Sequence, residues 1–469
     1  MFFFQDDIGL LIQLQNIPFW QFLLTPQAEH FAPVLHLLSS IEYRLFHLNF
    51  IWYVIVILLI HLLNCIILGK IVYKISTSIF CTLLAISFFL VNLTYTEPFL
   101  WFAANGVVLS VFFLGLSFYF WYTFITGGEN SYFWLSVITI LLSGFSFGTG
   151  IAIGLVFALV TFIYRGRIDR KLFLKIVIIY LFIGLLSYFI GPIVALGKLD
   201  RVVPLVKDPF KDVVMYIAFI ISGVSRGVVG RLILPGFEPR HFQIIPTIIS
   251  FLPFIFICLV ILRLLKDIRK KKEKLLFITL SIFITYPYIW SGFLRSHFGL
   301  KQALAERYAY PSLFFFAILL TLIFYELLNR KLIRSKRLVI LFAVTIIFFQ
   351  SLFFVRNAKI FEERPGQTRD YFEKLTQVLI NSSIVLDLPL PSYINQEYQI
   401  SQLASVIKDS HLPKFISPDN QFCTQDFRIE LKKPEILSFY LEQTRDPVVR
   451  AVFTKQSLMN CLSSQNKKV

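Results

Sequence analysis

The sequence is poor in most of what a soluble protein of its length carries. Of 469 residues only 28 are acidic, and charged residues of both signs make up 16%. Ahead of residue 356 the polar stretches are short, and no internal repeat or low-complexity tract is present. No P-loop, no spaced Cys/His set of the kind that holds zinc, and no nucleophile motif occurs, so nothing points to nucleotide hydrolysis or a structural metal. Five cysteines are too few for a disulfide scaffold. No basic segment leading to a small-residue cleavage site opens the chain, so a cleavable signal peptide is not expected.

What the sequence has instead is oil. Hydrophobic residues make up 57%, with 53 phenylalanines, and the mean hydropathy is +0.71. Apolar runs near the roughly 18–20 residues needed to cross a bilayer recur along the chain. The expected fold class is an all-α polytopic membrane protein of about ten transmembrane helices, with a small C-terminal α/β domain outside. The net charge of +17 sits in short clusters between apolar runs. That is a topology signal and not a nucleic-acid footprint.

Spans are expected at Leu48–Leu68, Thr77–Leu93 and Ala103–Ile125. The run Tyr132–Tyr164 is too long for one straight span, and its middle, Ser143–Gly150, is dense in glycine and serine. Two short helices meeting at a turn are expected there. This split puts Arg165, Arg167, Arg170, Lys171 and Lys175 on the side of Lys70 and Lys74, as the positive-inside rule asks. Further spans are expected at Leu172–Leu196, Phe242–Leu265, Leu275–Phe293, Tyr308–Leu328 and Leu338–Val355. Charge parity makes Asp212–Leu234 a segment that lies on or dips into the outer face, because a crossing would put the Arg263–Lys274 cluster outside. Both termini then lie outside. Residues 1–355 form the transmembrane domain, with a first outer loop at 1–47. Residues 356–469 form an extracytoplasmic domain with helix-like pieces at Asp370–Asn381 and Glu397–Lys408 and a strand-like one at Ile384–Leu388. Cys65, Cys81 and Cys258 fall in spans, where buried thiols are expected. Cys423 and Cys461 fall in the outer domain and are expected to pair.

The rare acids are the pointers to function. Asp6 and Asp7 open the chain, and Glu97 follows two crossings later, which returns it to the same face. A carboxylate drawn to mid-bilayer costs about 2.5–3.5 kcal/mol, so acids at one face are either wet and idle or gathered at a site. The chain resembles the GT-C superfamily of membrane glycosyltransferases, on the protein O-mannosyltransferase-like branch that uses polyprenyl-phosphate sugars. The resemblance rests on Gln5-Asp6-Asp7, on Glu29–Val34 leading to Tyr43–Asn49, on His61–Asn64 and on Thr96–Trp101. It continues in the break at Gly144–Gly150 and in Glu306–Pro311 before a late helix. Two departures stand out. The family carries a transmembrane helix ahead of the acidic pair, whereas five residues precede it here. Ala32 stands where an arginine is usual.

The resemblance implies Asp6 and Asp7 as catalytic residues. It implies Glu97, His30, Arg307, Tyr308, Arg226 and Arg231 as substrate-binding, on an extracytoplasmic face of the plasma membrane. The chemistry agrees with so small a set. A polyprenyl-phosphate sugar has a phosphate leaving group that departs without a proton, so no general acid is needed, unlike glycoside hydrolysis. One base must take the acceptor's proton, and cations must meet the departing phosphate. Guanidinium suits phosphate better than ammonium does. A divalent metal stays open, with no strong ligand motif. The expected partners are the lipid-linked sugar, the membrane and a glycan, lipid or protein acceptor, with no nucleic acid. Two other classes fit the same sequence: a lipid-linked sugar flippase or transporter, which would place its charges near mid-membrane, and a non-catalytic envelope assembly protein working through residues 356–469. His61 and Asn64, three apart on one helix face, suit inter-helix hydrogen bonding better than catalysis.

Overall fold

The structure is a computed structural model. It describes the chain except residues 1–2, 4–5, 27–30, 197–208, 234–243, 268–270, 297–298, 333–334, 408–411, 419–421 and 464–469.

Three helices precede the first long one: α1 (Asp6–Asn16), α2 (Phe19–Leu24) and α3 (Pro33–Phe46). Proline at the first turn of α3 suits a position whose N–H has no intrahelical partner. Next come α4 (Phe50–Ser76), α5 (Ile79–Leu90), α6 (Thr96–Leu100) and α7 (Gly106–Ile125). Helix α4 stops at Thr77, whose φ of +53° ends the helical path, and Ser78 restarts it by capping the Cys81 N–H. Between α5 and α6 the chain breaks at Asn92, whose side chain accepts the Thr94 N–H at 2.9 Å, and the two segments meet at 57°.

The run 132–164 divides as its glycines foretell, into α8 (Asn130–Gly144) and α9 (Ile153–Ile163). Gly150 is obligatory at this turn, because a Cβ there would lie 2.8 Å from Ser110 Oγ and closer still to the Ser143 carbonyl. Then follow α10 (Arg170–Leu196), α11 (Pro209–Ser222), a π-helical stretch (Gly223–Gly230), α12 (Arg231–Ile233), α13 (Ile244–Asp267), α14 (Lys271–Arg295), α15 (Glu306–Asn329) and α16 (Lys336–Asn381).

This is an all-α polytopic membrane protein. Among the described residues seven helices are long and apolar enough to cross a bilayer, or eight if α5 and the Leu93–Leu100 segment form one bent span. Asp212–Ile233 is among the seven by length and apolarity. This stretch packs on α14. Tyr216 donates to the Ile289 carbonyl at 3.1 Å, and Phe219, Gly223 and Gly227 also meet α14 between Tyr288 and Gly292. The Tyr288 ring stands against Gly223 and leaves no room for a side chain there, and the adjoining chain winds as a π-helix, a form often found where something inserts or binds.

At 46 residues and 1.5 Å per residue, α16 is about 69 Å long, against a hydrocarbon core of about 30 Å. The composition change at residue 356 therefore falls inside one continuous helix. Beyond it, β1 (Ile384–Leu386) pairs in parallel with β2 (Lys414–Ile416), with α17 (Ile400–Ile407) between them. Among the described residues four short helices follow: α18 (Gln425–Leu431), α19 (Pro434–Gln443), α20 (Pro447–Val452) and α21 (Lys455–Ser463). Cys423 and Cys461 are disulfide-bonded, with Cα atoms 5.5 Å apart. Cys65 and Cys81 are buried thiols, whereas Cys258 is only half-buried.

Candidate functional site

One end of the helix bundle carries a cavity of about 410 Å³. Its wall is made of helix ends and turns that converge from distant parts of the chain. Asp6 and Gly9 come from the start of α1, Ala32 and Leu35 from the start of α3, and Trp101, Ala103 and Ala104 from the turn before α7. Phe147 comes from the α8–α9 turn, Arg295 from the end of α14, Arg307 from the start of α15, and Asn395, Glu397 and Tyr398 from the turn before α17. A narrow extension of about 40 Å³ adds Gly148, Thr149, Pro287, Trp290 and Tyr308 beneath the two arginines. Helix ends elsewhere in the bundle carry clustered cations: Lys70 and Lys74 on α4, Arg165 after α9, Arg170 and Lys171 on α10, Lys266 on α13, Arg330 after α15 and Lys336 on α16.

Asp6 opens into this cavity. Its carboxyl is raised from its ordinary value. Burial is the main cause; Arg307 opposes it, Glu397 adds to it and Arg295 opposes it. Asp7 plays a different part. It is fully buried, and its Oδ1 accepts the Ala103 N–H at 2.7 Å. That bond ties α1 to the turn after α6, and so fixes the backbone that presents Asp6.

Glu97 is a clamp for Arg307. Its carboxylate takes an ion pair from the Arg307 guanidinium and accepts the Arg307 N–H at 3.1 Å, while its own N–H donates to Glu306 Oε2 at 2.8 Å. The guanidinium also lies over the rings of Trp101 and Tyr308, with 5.5 and 5.2 Å to the ring centres. Residues far apart in sequence thus hold one cation in one orientation at the cavity wall.

Deeper in the bundle a second set of bonds holds the same helix. Asn64 donates to Tyr310 Oη at 3.1 Å and to the Val108 carbonyl at 3.0 Å. Tyr310 Oη is 2.7 Å from His61 Nδ1, and His61 Nε2 is 3.0 Å from the Leu90 carbonyl. A carbonyl only accepts, so Nε2 carries the proton and Nδ1 receives the one from Tyr310. Leu90 ends α5, and from the other side of the break the Leu93 N–H reaches Gln350 Oε1 at 2.8 Å. Gln350 Nε2 donates in turn to the Arg231 and Leu232 carbonyls, at 2.6 and 2.8 Å.

Of the residues singled out from sequence, the structure gathers Asp6, Arg307 and Tyr308 at the cavity and its extension. Asp7 and Glu97 stand immediately behind them. Arg226 and Arg231 are buried in and beside the π-helical stretch and do not line the cavity. His30 lies outside the described residues. Sequence reasoning passed over Gln13, Asn395, Glu397 and Tyr398 as site residues. No local pattern marks the turn at 395–398 as part of a site formed by the first helix. Among the described residues, no group of three or more His, Cys, Asp or Glu stands where it could hold a metal ion. Comparison with protein-family models, with curated proteins and with solved structures gave no match.

Proposed function

We propose that the chain is a membrane glycosyltransferase of the GT-C kind, moving a sugar from a polyprenyl-phosphate donor to an acceptor hydroxyl at the extracytoplasmic face of the plasma membrane. One observation carries the reading: a carboxylate with a raised pKa, Asp6, shares a cavity with two guanidinium groups, Arg295 and Arg307, at one end of a helix bundle. In the reaction the acceptor oxygen attacks the anomeric carbon. Its proton passes to the Asp6 carboxylate, and the bond from that carbon to the phosphate oxygen breaks. The departing polyprenyl phosphate carries the charge that Arg307 and Arg295 meet. A carboxylate pushed up in pKa is a stronger base than an ordinary one, and Glu97 keeps the Arg307 fork aimed without taking part.

The topology that serves this chemistry has ten spans: α4, α5 with α6, α7, α8, α9, α10, α13, α14, α15 and the first part of α16. In this topology the stretch 212–233 stays at the outer face, because a crossing would put the Arg263–Lys274 cluster outside. The cation clusters at helix ends away from the cavity support a cytoplasmic location for those ends, and hence an extracytoplasmic cavity. Residues 356–469 then form an extracytoplasmic α/β domain that closes the site with its 395–398 turn. Mass analysis of cell-envelope glycans, lipids and proteins with and without this chain is the direct test. Loss of one glycosyl unit is expected, and unchanged envelopes would contradict the proposal.

A further inference from the structure

The turn before α17 packs against the first helix at the cavity wall, and its polar groups have definite hydrogen-bonding states. The Pro389–Gln399 bridge and the Leu390 N–H bond to the Tyr398 carbonyl, 2.8 Å, hold the turn in shape. Asn395 Oδ1 accepts the Glu397 N–H at 3.2 Å, so its amide N–H groups remain to donate; Nδ2 lies 3.3 Å from where a Cβ on Gly9 would be. Tyr398 Oη accepts from Gln13 Nε2 at 3.2 Å, which leaves the phenol proton to donate. Gln13 Oε1 is buried and has no hydrogen-bond partner among the described residues. A buried carbonyl oxygen without a donor is a cost that a ligand can remove.

We infer that Gln13, Asn395, Glu397 and Tyr398 form the acceptor subsite, and that the acceptor they take is an uncharged saccharide. The inference rests on the transferase reading and names the substrate class for the same site. The wall offers amide and phenol donors beside an acceptor-only carboxylate and an unpartnered carbonyl. Vicinal sugar hydroxyls, each both donor and acceptor, satisfy that mixture. Charge argues the same way. A phosphorylated acceptor would meet the carboxylates of Asp6 and Glu397, and an amine would meet Arg295 and Arg307. A neutral polyol meets neither conflict. The cavity, about 410 Å³, lies in the usual range for small-molecule sites, roughly 300–1,000 Å³. Gly9 lets the turn come this close to α1, since a side chain there would press on Tyr398 at 3.1 Å.

Saturation-transfer NMR on the purified full chain tests this, with neutral hexose and N-acetylhexosamine disaccharides as probes and glucose 6-phosphate and glucosamine as charged comparisons. A neutral disaccharide is expected to receive saturation, with its dissociation constant raised about tenfold in Glu397→Gln and in Tyr398→Phe. A thermal melt of each variant checks folding. Binding of no neutral saccharide overturns the inference, as does binding that ignores both substitutions or preference for the phosphorylated sugar. Glu397-dependent saccharide binding without any transfer would remove the transferase reading and leave the subsite. Transfer to a peptide or lipid with the acceptor KM unchanged in Glu397→Gln would do the reverse.

Discussion

His61 and Tyr310 meet in the middle of the helix bundle, ring nitrogen to phenol at 2.7 Å, and through them α4 holds α15. Tyr310 stands three residues after Arg307, so the bond fixes the turn of α15 that delivers the guanidinium to the cavity. Tyr310→Phe leaves His61 Nδ1 without a donor and takes one acceptor from Asn64. The expected cost is about 1–2 kcal/mol, read as a lower unfolding midpoint in detergent. With it, donor KM should rise more than kcat falls. A variant with wild-type stability and donor KM would show that the relay holds nothing.

Arg307 is held by Glu97 and by two aromatic faces, an arrangement suited to a flat, forked cation. Arg307→Lys keeps the charge and loses the fork, and Glu97→Gln keeps the fork and loosens its aim. Both are expected to raise donor KM about tenfold, measured by transfer at varied donor concentration. Unchanged donor dependence in both would reduce Arg307 to a cation that meets lipid headgroups.

The Cys423–Cys461 bond closes a sequence separation of 38 and ties α21 to the segment before α18. In denaturant without reductant, three of the five cysteines should alkylate, and all five after reduction. Replacing the pair with serine should cost the C-terminal region about 2–4 kcal/mol, read as earlier local proteolysis. Alkylation of all five without reduction would contradict the pairing.

Glu42 on α3 is buried, and burial pushes its carboxyl up to about 8. The folded chain therefore holds a proton that the unfolded chain releases near 4.5. Between those two values the folded state binds more protons, so stability falls as pH rises, by at most about 1.4 kcal/mol per pH unit, and levels off above the folded value. Glu42→Gln should flatten this slope and raise the unfolding midpoint at neutral pH. A midpoint that rises with pH in the wild type across that window would contradict it.

Much of the bundle was legible because hydropathy and helix breakers act locally. The apolar runs gave α4, α7 and α15, and Ser143–Gly150 gave the α8–α9 turn. The acidic pair and the segment of Glu97 do meet at one end, as an even number of crossings requires. The extent of α16 was not legible. Its charges begin where the side chains leave the hydrocarbon, and a change of solvent reads like a change of domain even though the backbone bonds continue. The presence of Asp6 and Glu397 in one cavity was not legible either, because nearly four hundred residues separate them and polar turns carry no periodicity. Gln350 sat unnoticed in an apolar run, where one amide joins Leu93 to Arg231 and Leu232.

The central claim is that Asp6 takes the proton of the acceptor. The measurement is glycosyl transfer from a polyprenyl-phosphate sugar by purified Asp6→Asn, beside donor binding by the same protein. Asparagine keeps the shape and cannot accept a proton, so transfer should fall by about 10²–10⁴-fold, with donor binding and unfolding midpoint near those of the wild type. In the wild type the acid limb of kcat/KM should lie above the ordinary aspartate value, in the direction in which the Asp6 carboxyl is raised. Full transfer by Asp6→Asn would contradict the account.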